Sequence, residues 1–331
     1  MADSLGRRVE IAIVTPAPRG SRKGNRATAL RTAWMLRSLG CHVHVLERWD
    51  GSACDALIAL HALKSSDSVL RFHALHPERP ACIVLAGTDI YPSWQADPAA
   101  TAALECCKLL VALQPEAATA LPARFRDRVR TIVQSATPVQ ASRVEDAFQV
   151  VTLAHLRPVK DPLRGLAALE MLPAGMLIRH VLAGAALDEG LAAAAREGMQ
   201  REPRFHWVGE LDRTRARTLL ASSHACLIAS LGEGGANVLS EALACSVPVI
   251  ASDIPGNTGI LGRDWPALFA PGDTMALAEL LRRLATDAAH RAELERRTRA
   301  LAPLVTPDRE RALWLALLRE LGLPMTENLR I

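Results

Sequence analysis

Residues 224–253 read HACLIASLGEGGANVLSEALACSVPVIASD, and the fold follows from this stretch. Cys226–Ala229 is a short apolar run, the mark of a buried parallel strand. Glu233, Gly234 and Gly235 open a turn, Asn237–Ala244 has a helical pattern, and Pro248–Ala251 is the next strand. Between a strand end and a helix start, Gly234, Gly235 and Ala236 leave backbone N–H groups pointing at open space. With the positive end of the helix dipole behind them, they form an anion site. Two carboxylates frame it, Glu233 in the turn and Glu241 in the helix. Asn237 and Glu241 lie four residues apart on one helix face, about 6 Å along the axis. Asn237 can therefore reach a phosphate while Glu241 accepts from a ribose one turn on, and Glu233 can accept from sugar hydroxyls. That is the shape of a nucleotide-sugar. Two glutamates at this spacing are weakly specific alone; set in strand–EGGANVLSEALA–strand they are not.

The same alternation runs outward in both directions. Upstream, strands are expected at Val9–Thr15, Cys41–Leu46, Ala56–Leu60, Ala81–Ala86, Leu109–Leu113 and Val129–Val133. Helices are expected at Asn25–Leu39, Ser66–His76 and Pro98–Cys106. Residues 135–147, SATPVQASRVEDA, are polar and aperiodic and mark a boundary. Beyond it strands are expected at Gln149–Leu153, Ile178–Ala183, Arg204–Val208, Ala225–Ala229, Pro248–Ala251 and Leu268–Ala270. The chain then ends in helices at Thr274–Ala285, Ala288–Ala300 and Pro307–Leu321. Strands separated by helical spacers specify parallel sheets with helices on both faces. The expected architecture is α/β, with two doubly wound, Rossmann-like domains and a cleft between them. The domains are 1–143 and 144–305, followed by a last helical segment, 306–331. Ligands in such sheets bind beyond the carboxyl ends of the strands. The loops to inspect are 16–26, 61–65, 87–91, 154–161, 184–188, 209–212, 230–237 and 253–258.

Composition narrows the function classes. The 331 residues are ample for two cores. A net charge of +4 is too mild to imply nucleic acid, and no run approaches the roughly 18 apolar residues of a membrane span. The N-terminus, MADSLGRRVEIAIVTP, passes directly into a strand without the apolar core of a signal peptide, so a cytoplasmic protein is expected. Seven scattered cysteines with no CxxC pair argue for reduced thiols. Cys106 and Cys107 suit buried small hydrophobes better than redox chemistry.

Several other loops carry chemistry. After the first strand, Arg19, Arg22, Lys23 and Arg26 cluster among Ser21, Gly24 and Asn25, with Asn25 a candidate N-cap. Four cations at a helix N-terminus suit a small, strongly anionic ligand; a solvated basic loop is the alternative. No aromatic residue interleaves to stack on bases, so nucleic acid is not expected. After the first strand of the second domain stand His155, Arg157, Lys160 and Asp161, with Pro162 suited to the first turn of a helix. Lys160 and Arg157 can stabilise charge on a departing nucleoside diphosphate. Thr88 and Asp89 end another strand, and Asp89 suits a sugar-hydroxyl contact, a base or an N-cap. His61 and Lys64 at a strand end fit a cleft or a surface equally. His42 and His44 alternate on one strand face, but a metal needs more ligands and none neighbour them in sequence, so a structural role is expected.

The stretch Ser230–Asp253 resembles the glutamate–seven residues–glutamate motif of retaining GT-B glycosyltransferases of family 4. The resemblance extends through AHLRPVKDP at 154–162, FHWVGEL at 205–211 and FAPGD at 269–273. It implies that the C-terminal domain holds the nucleotide-sugar and that the last helix crosses back onto the N-terminal domain. By motif position it implies Glu233 on donor-sugar hydroxyls, Glu241 on the ribose, Lys160 on the pyrophosphate, and Gly209 and Glu210 near the base. Where the family places an arginine five residues before the lysine, this chain has His155, and Arg157 is the alternative source of charge. In the N-terminal half, TPAPRGSRKGNRATALR at 15–31, HALKS at 61–65, GTDIY at 87–91, LQP at 113–115 and VQSA at 133–136 resemble one subgroup. These are the selenosugar synthases of bacterial selenoneine biosynthesis (SenB-type). That resemblance implies a UDP-GlcNAc or UDP-glucose donor and selenophosphate as nucleophile. The acceptor would be bound by Ser21, Lys23, Gly24, Asn25, Arg26, Thr88 and Asp89. No metal or other cofactor and no enzyme nucleophile is expected, and the partners are small-molecule substrates. A hydroxyl-accepting family 4 transferase and a non-catalytic nucleotide-sugar sensor are the rival readings.

Overall fold

The computed structural model describes residues 7–21, 24–87 and 97–325. The chain divides into two compact units, residues 1–134 with 308–331, and residues 135–307.

In the first unit the elements run β1 (Glu10–Val14), α1 (Gly24–Ser38), β2 (His42–Leu46), β3 (Ala56–Leu60), α2 (Ala62–Leu75), β4 (Ala81–Leu85), α3 (Pro98–Cys106) and β5 (Leu109–Ala112). Two single-turn helices follow, α4 (Ala117–Ala120) and α5 (Ala123–Arg126), then β6 (Val129–Thr131). The strands pair in parallel in the order β2-β1-β3-β4-β5-β6. Alternate residues face opposite sides of a strand, and here both sides are buried. Ile11, Ile13, Ile58, Leu60, Cys82 and Val84 face one core, with Ala29, Ala33 and Leu36 of α1. Ala12, Val14, Leu57, Ala59, Ile83 and Leu85 face the other, with Val69 and Phe72 of α2 and Leu104 of α3. Double-sided burial is why these strands read as continuous apolar runs.

The second unit begins with β7 (Phe148–Leu153), a 3₁₀ turn at Pro158–Lys160, α6 (Arg164–Glu170), β8 (Ile178–Ala183), α7 (Glu189–Arg201), β9 (Phe205–Trp207) and α8 (Arg213–Ala221). It continues with β10 (Ala225–Ile228), α9 (Asn237–Ala244), β11 (Val249–Ser252), α10 (Pro255–Leu261), β12 (Leu268–Phe269), α11 (Thr274–Thr286) and α12 (Ala288–Leu301). Its parallel order is β12-β11-β10-β7-β8-β9, so the chain reverses direction across the sheet between β7 and β10. That is the topological switch point of a doubly wound sheet, the position where such sheets bind ligands. The last helix, α13 (Pro307–Glu320), sets Trp314, Leu317 and Leu318 into the α1-side core of the first unit. Each fully buried leucine there contributes roughly 1.5–3 kcal/mol. No helix among the described residues is long and apolar enough to cross a membrane.

Some boundaries differ from the sequence reading, each for a local reason. The structural break follows Gln134, earlier than residue 143. Residues 136–139 are tied to the second unit: Ala136 N donates to Val305 O, and Val139 N to Cys245 Sγ. Residues 62–65 are the first turn of α2 and not a loop, since Ser65 N donates to His61 O and its Oγ to Leu60 O at 2.6 Å. Asn25 is not an N-cap: α1 already begins at Gly24. Pro162 precedes a helix that starts at Arg164, while Pro158 occupies the first position of the 3₁₀ turn. The N-cap of α3 is Asp97, whose carboxylate accepts from the N–H groups of Ala99 and Ala100. All seven cysteines are free. Burial holds the Cys107 thiol well above its ordinary range, as suits a small core residue.

Candidate functional site

Three loops leave the carboxyl ends of β7, β8 and β9 and are locked edge to edge. Ala154 N donates to Ala183 O, Leu156 N to Ala185 O, and Gly184 N to Gly209 O at 2.8 Å. Trp207 Nε1 donates to Gly184 O at 2.9 Å. Position 184 must be glycine: a Cβ there would sit 1.9 Å from the Ala154 carbonyl oxygen. Gly209, two residues past the end of β9, holds a positive φ of 72°, a conformation that glycine adopts readily. The charge of Glu210 is felt at His155, so the 155 and 210 loops lie side by side.

His155 is half-buried, and its Nδ1 accepts from Ala185 N–H at 3.0 Å. A backbone N–H can only donate, so the neutral ring carries its proton on Nε2. Burial holds this imidazole below its ordinary pKa; Lys160 and Arg157 add to the effect and Glu210 opposes it. Arg157 is exposed at the start of the 3₁₀ turn. That turn ends at Asp161, φ 43°, whose carboxylate takes Arg164 Nε at 2.7 Å while the same guanidinium reaches Thr274 Oγ1 at 2.7 Å. Lys160 is thus carried on a turn fastened to α6 and α11.

Across the switch point, β10 delivers the second half of the site. Lys160 Nζ is ion-paired with Glu233 Oε1, and Ser230 Oγ donates to the same oxygen at 2.6 Å. Leu231 N donates to Val159 O at 2.8 Å, cross-linking the two loops. Glu233 is only 11% exposed on its side chain and Lys160 29%, so the pair is partly shielded from water. Behind it, Ser252 Oγ donates to Ser230 O at 2.6 Å, and the fully buried Asn257 donates to Ser252 O at 2.9 Å. Gly256 lets α10 approach: a Cβ there would lie 2.5 Å from Glu233 O and 2.6 Å from Glu233 Cβ. Gly234, Gly235 and Ala236 then lead into α9, whose N-terminus has no side-chain cap. That end of the helix carries the positive pole of its dipole, which favours an anion. The helix buries Leu239, Ser240, Ala242 and Leu243 and keeps Asn237 and Glu241 partly open.

The structure therefore brings together Lys160, Glu233, His155, Gly209 and Glu210, with Arg157 close enough to act on His155 electrostatically. Gly234, Gly235, Ala236, Asn237 and Glu241 lie on the turn and helix that follow Glu233. The sequence reading did not single out Ser230, Ser252, Gly256 or Asn257. Their signal is position: Ser230 lies just past the carboxyl end of β10, Ser252 ends the adjacent β11, and Gly256 and Asn257 follow it in α10. Chemically the arrangement offers an ammonium, a guanidinium, backbone donors and one neutral imidazole N–H. All suit a diphosphate, with carboxylates at 233 and 241 for hydroxyls.

In the first unit, Ser21 N donates to Pro18 O and Arg19 N to Glu47 Oε1. Gly24, Asn25 and Arg26 form the first turn of α1, and Thr15 Oγ1 donates to Asn25 O at 3.3 Å. Gln134 Nε2 donates to Thr28 Oγ1 at 2.8 Å within the same unit. Arg22, Lys23, Thr88, Asp89, Ile90 and Tyr91 lie outside the described residues. His42 and His44 do have a third candidate ligand, Glu10, which strand pairing and not sequence proximity supplies.

Comparison with known proteins gives the chain its relatives. The family model described as Glycosyl transferases group 1 matches residues 134–301. No curated protein matches the chain. Among solved structures, HepE of Anabaena in complex with UDP and glucose superposes with a TM-score of 0.76 at 16% identity, covering 94% of this chain and all of that one (100%). The sucrose-phosphate synthase of Thermosynechococcus elongatus gives 0.76 at 17% identity, covering 95% and 99%. An α,α-trehalose 6-phosphate synthase of Burkholderia multivorans gives 0.66 at 14% identity, covering 81% and 70%. At these identities the likeness establishes the fold, which is GT-B.

Proposed function

We propose, for a chain that belongs to the Glycosyl transferases group 1 family, that it takes a sugar from a UDP-sugar and transfers it to selenophosphate. The observation that carries the donor half is the Lys160–Glu233–Ser230 cluster at the β7/β10 switch point, ahead of the uncapped α9. UDP is the nucleotide in the solved HepE complex, a protein of the same fold. Here the diphosphate would lie across the N–H groups at 234–237, with the uracil towards Gly209 and Glu210 and the ribose on Glu241. A sugar hydroxyl donating to Glu233 would release Lys160 towards the phosphates. Lys160, Arg157 and the Nε2–H of His155 would then neutralise charge as UDP departs. These donors make a metal unnecessary to the proposed step.

The acceptor half rests on the resemblance of the N-terminal loops to selenosugar synthases. The cationic segment 19–26, with Ser21, Lys23, Gly24, Asn25 and Arg26, suits a small phosphate by its composition, and Thr88 and Asp89 are the other residues proposed for the acceptor. Selenium of selenophosphate attacks the anomeric carbon, and the carbon–oxygen bond to UDP breaks with its electrons leaving on UDP. Water then cleaves the phosphorus–selenium bond, giving phosphate and the 1-seleno-sugar. The proposed substrates are water-soluble metabolites, in keeping with an activity proposed for the cytoplasm.

The test is incubation of the pure protein with selenophosphate and either UDP-GlcNAc or UDP-glucose, followed by mass spectrometry. UDP and a selenium-bearing sugar are expected. UDP release indifferent to selenophosphate, or turnover with a hydroxyl acceptor and no selenium product, overturns the acceptor assignment. Tight UDP-sugar binding without any turnover overturns the enzymatic one.

A further inference from the structure

We infer that the amino edge of the first unit's sheet carries a zinc-type transition-metal site formed by Glu10, His42 and His44. The three residues come from two strands. Glu10 opens β1 and pairs in register with His42, which opens the parallel edge strand β2; His44 is two residues on. Registered neighbours in a sheet project to one face, and so do residues two apart on a strand. All three side chains therefore share a face, while Val43 between the histidines is buried on the other, against α1. Among the described residues β2 is the edge strand of this sheet.

The ligand atoms already converge. Glu10 Oε2 lies 2.6 Å from His42 Nδ1 and 3.3 Å from His44 Nε2. All three donor atoms fall within 4.8 Å of one another, and the imidazoles meet edge to face with centroids 4.6 Å apart. Tetrahedral zinc, with bonds of about 2.0–2.1 Å, spaces its ligands by roughly 3.3 Å. Small side-chain rotations would bring these atoms to that spacing. The backbone beneath is held: Glu10 N donates to Asp55 Oδ2 at 2.9 Å, Asp55 Oδ1 takes Arg7 at 2.8 Å, and His42 N donates to Val9 O at 2.8 Å. Two imidazoles and one carboxylate suit zinc, copper or nickel, and not magnesium or calcium, which take oxygen sets. Three protein ligands leave the fourth tetrahedral position to water. Both histidines are about half exposed (56% and 46% of the side chain), so the site is reachable from solvent without opening the fold. It sits at the amino ends of β1 and β2, whereas the loops proposed for the acceptor leave the carboxyl ends. A bound ion would staple the edge strand to β1 and is independent of the proposed reaction.

The experiment uses untagged, chelator-stripped protein titrated with zinc sulfate by calorimetry, beside His42→Ala/His44→Ala and Glu10→Gln. The wild type is expected to bind one more equivalent than the double variant. Loss of one imidazole, in His42→Ala or His44→Ala alone, is expected to weaken binding more than about tenfold, because losing even an outer-shell partner costs roughly 10- to 100-fold. Zinc X-ray absorption should show imidazole nitrogen and oxygen, with no sulfur. Thermal unfolding of the wild type should shift upward with zinc and that of the double variant should not. Because all three side chains project from the surface, far-ultraviolet circular dichroism of the variants should match the wild type. Equal zinc stoichiometry and affinity in wild type and double variant overturn the proposal, leaving a cross-strand ion pair. Sulfur in the zinc shell also overturns it, by assigning the metal to cysteine.

Discussion

Gly256→Ala isolates the packing behind the candidate site, because residue 256 itself makes no contact with substrate in the proposed reaction. The added methyl would lie 2.5 Å from Glu233 O and 2.6 Å from Glu233 Cβ. Ordinary contact between carbon atoms begins at about 3.5 Å, so the 230–233 loop or the start of α10 must yield by about 1 Å. Neither yields freely. Ser230 is pinned through Ser252 to the buried Asn257, and Leu231 is bonded to Val159. Overpacking of this kind costs about 1–3 kcal/mol of stability, or a fall of about 2–4 °C in melting temperature per kcal/mol for a unit of this size. The larger effect is on function. A displacement of about 1 Å in a positioning group costs roughly 100-fold in turnover. Steady-state UDP release against UDP-sugar concentration, with a thermal melt on the same sample, measures both. A variant that melts lower yet keeps kcat/KM within about twofold of wild type would refute the claim that α10 positions Glu233 for the reaction.

Lys160→Ala removes the ammonium that faces Glu233 and should lower kcat by about 100- to 1000-fold, as for other lost leaving-group or oxyanion donors; a change confined to KM would contradict its role in departure of UDP. Arg26→Ala should raise the KM for selenophosphate more than that for the UDP-sugar, and equal effects would contradict the acceptor loop. His180 gives a pH prediction for the second unit. Burial in contact with Thr152 Oγ1 holds its imidazole down to about 3, against an unfolded value of about 6.5. A depressed histidine contributes stability fully above about pH 6.5, and that contribution is lost as pH falls towards about 3. At about pH 5 the loss is about 2 kcal/mol. His180→Phe removes it, while Thr152 keeps its bond to Leu227 O at 3.3 Å. Urea unfolding at neutral and acid pH should show a shallower pH dependence in the variant, and an unchanged slope would contradict the assignment.

Much of the fold was legible because its signals are local. Ala56–Leu60 is a strand over the residues that its apolar run marked, since a strand buried on both faces needs no polar alternation; Ile178–Ala183 is a strand within its expected bounds although Arg179 and His180 interrupt its apolar residues. Asn237–Ala244 and Pro98–Cys106 are helices as their patterns indicated. The helices between β7 and β10 were implied by the alternation but not bounded. α7 shows why: it buries Ala192, Ala195 and Gly198, a stripe with no large side chain to register as periodic. Gly198 is needed there because a Cβ would meet Leu166 at 2.2 Å. In the candidate site, Glu233, Lys160 and His155 stood out because their loops follow strand ends. Gly184 and Gly256 did not, since a glycine's close approach exists only once β8 lies beside β7 and α10 behind β10. The same holds for Glu10, whose partnership with His42 and His44 depends on the strand order β2-β1-β3.

The most direct measurement is nuclear magnetic resonance of the product made from selenium-labelled selenophosphate and a UDP-sugar carrying labelled carbon at the anomeric position. A one-bond selenium–carbon coupling at that carbon, appearing with UDP and phosphate in equal amounts, is the predicted result. An anomeric carbon bonded to oxygen in every product, with no selenium coupling, would contradict the central claim.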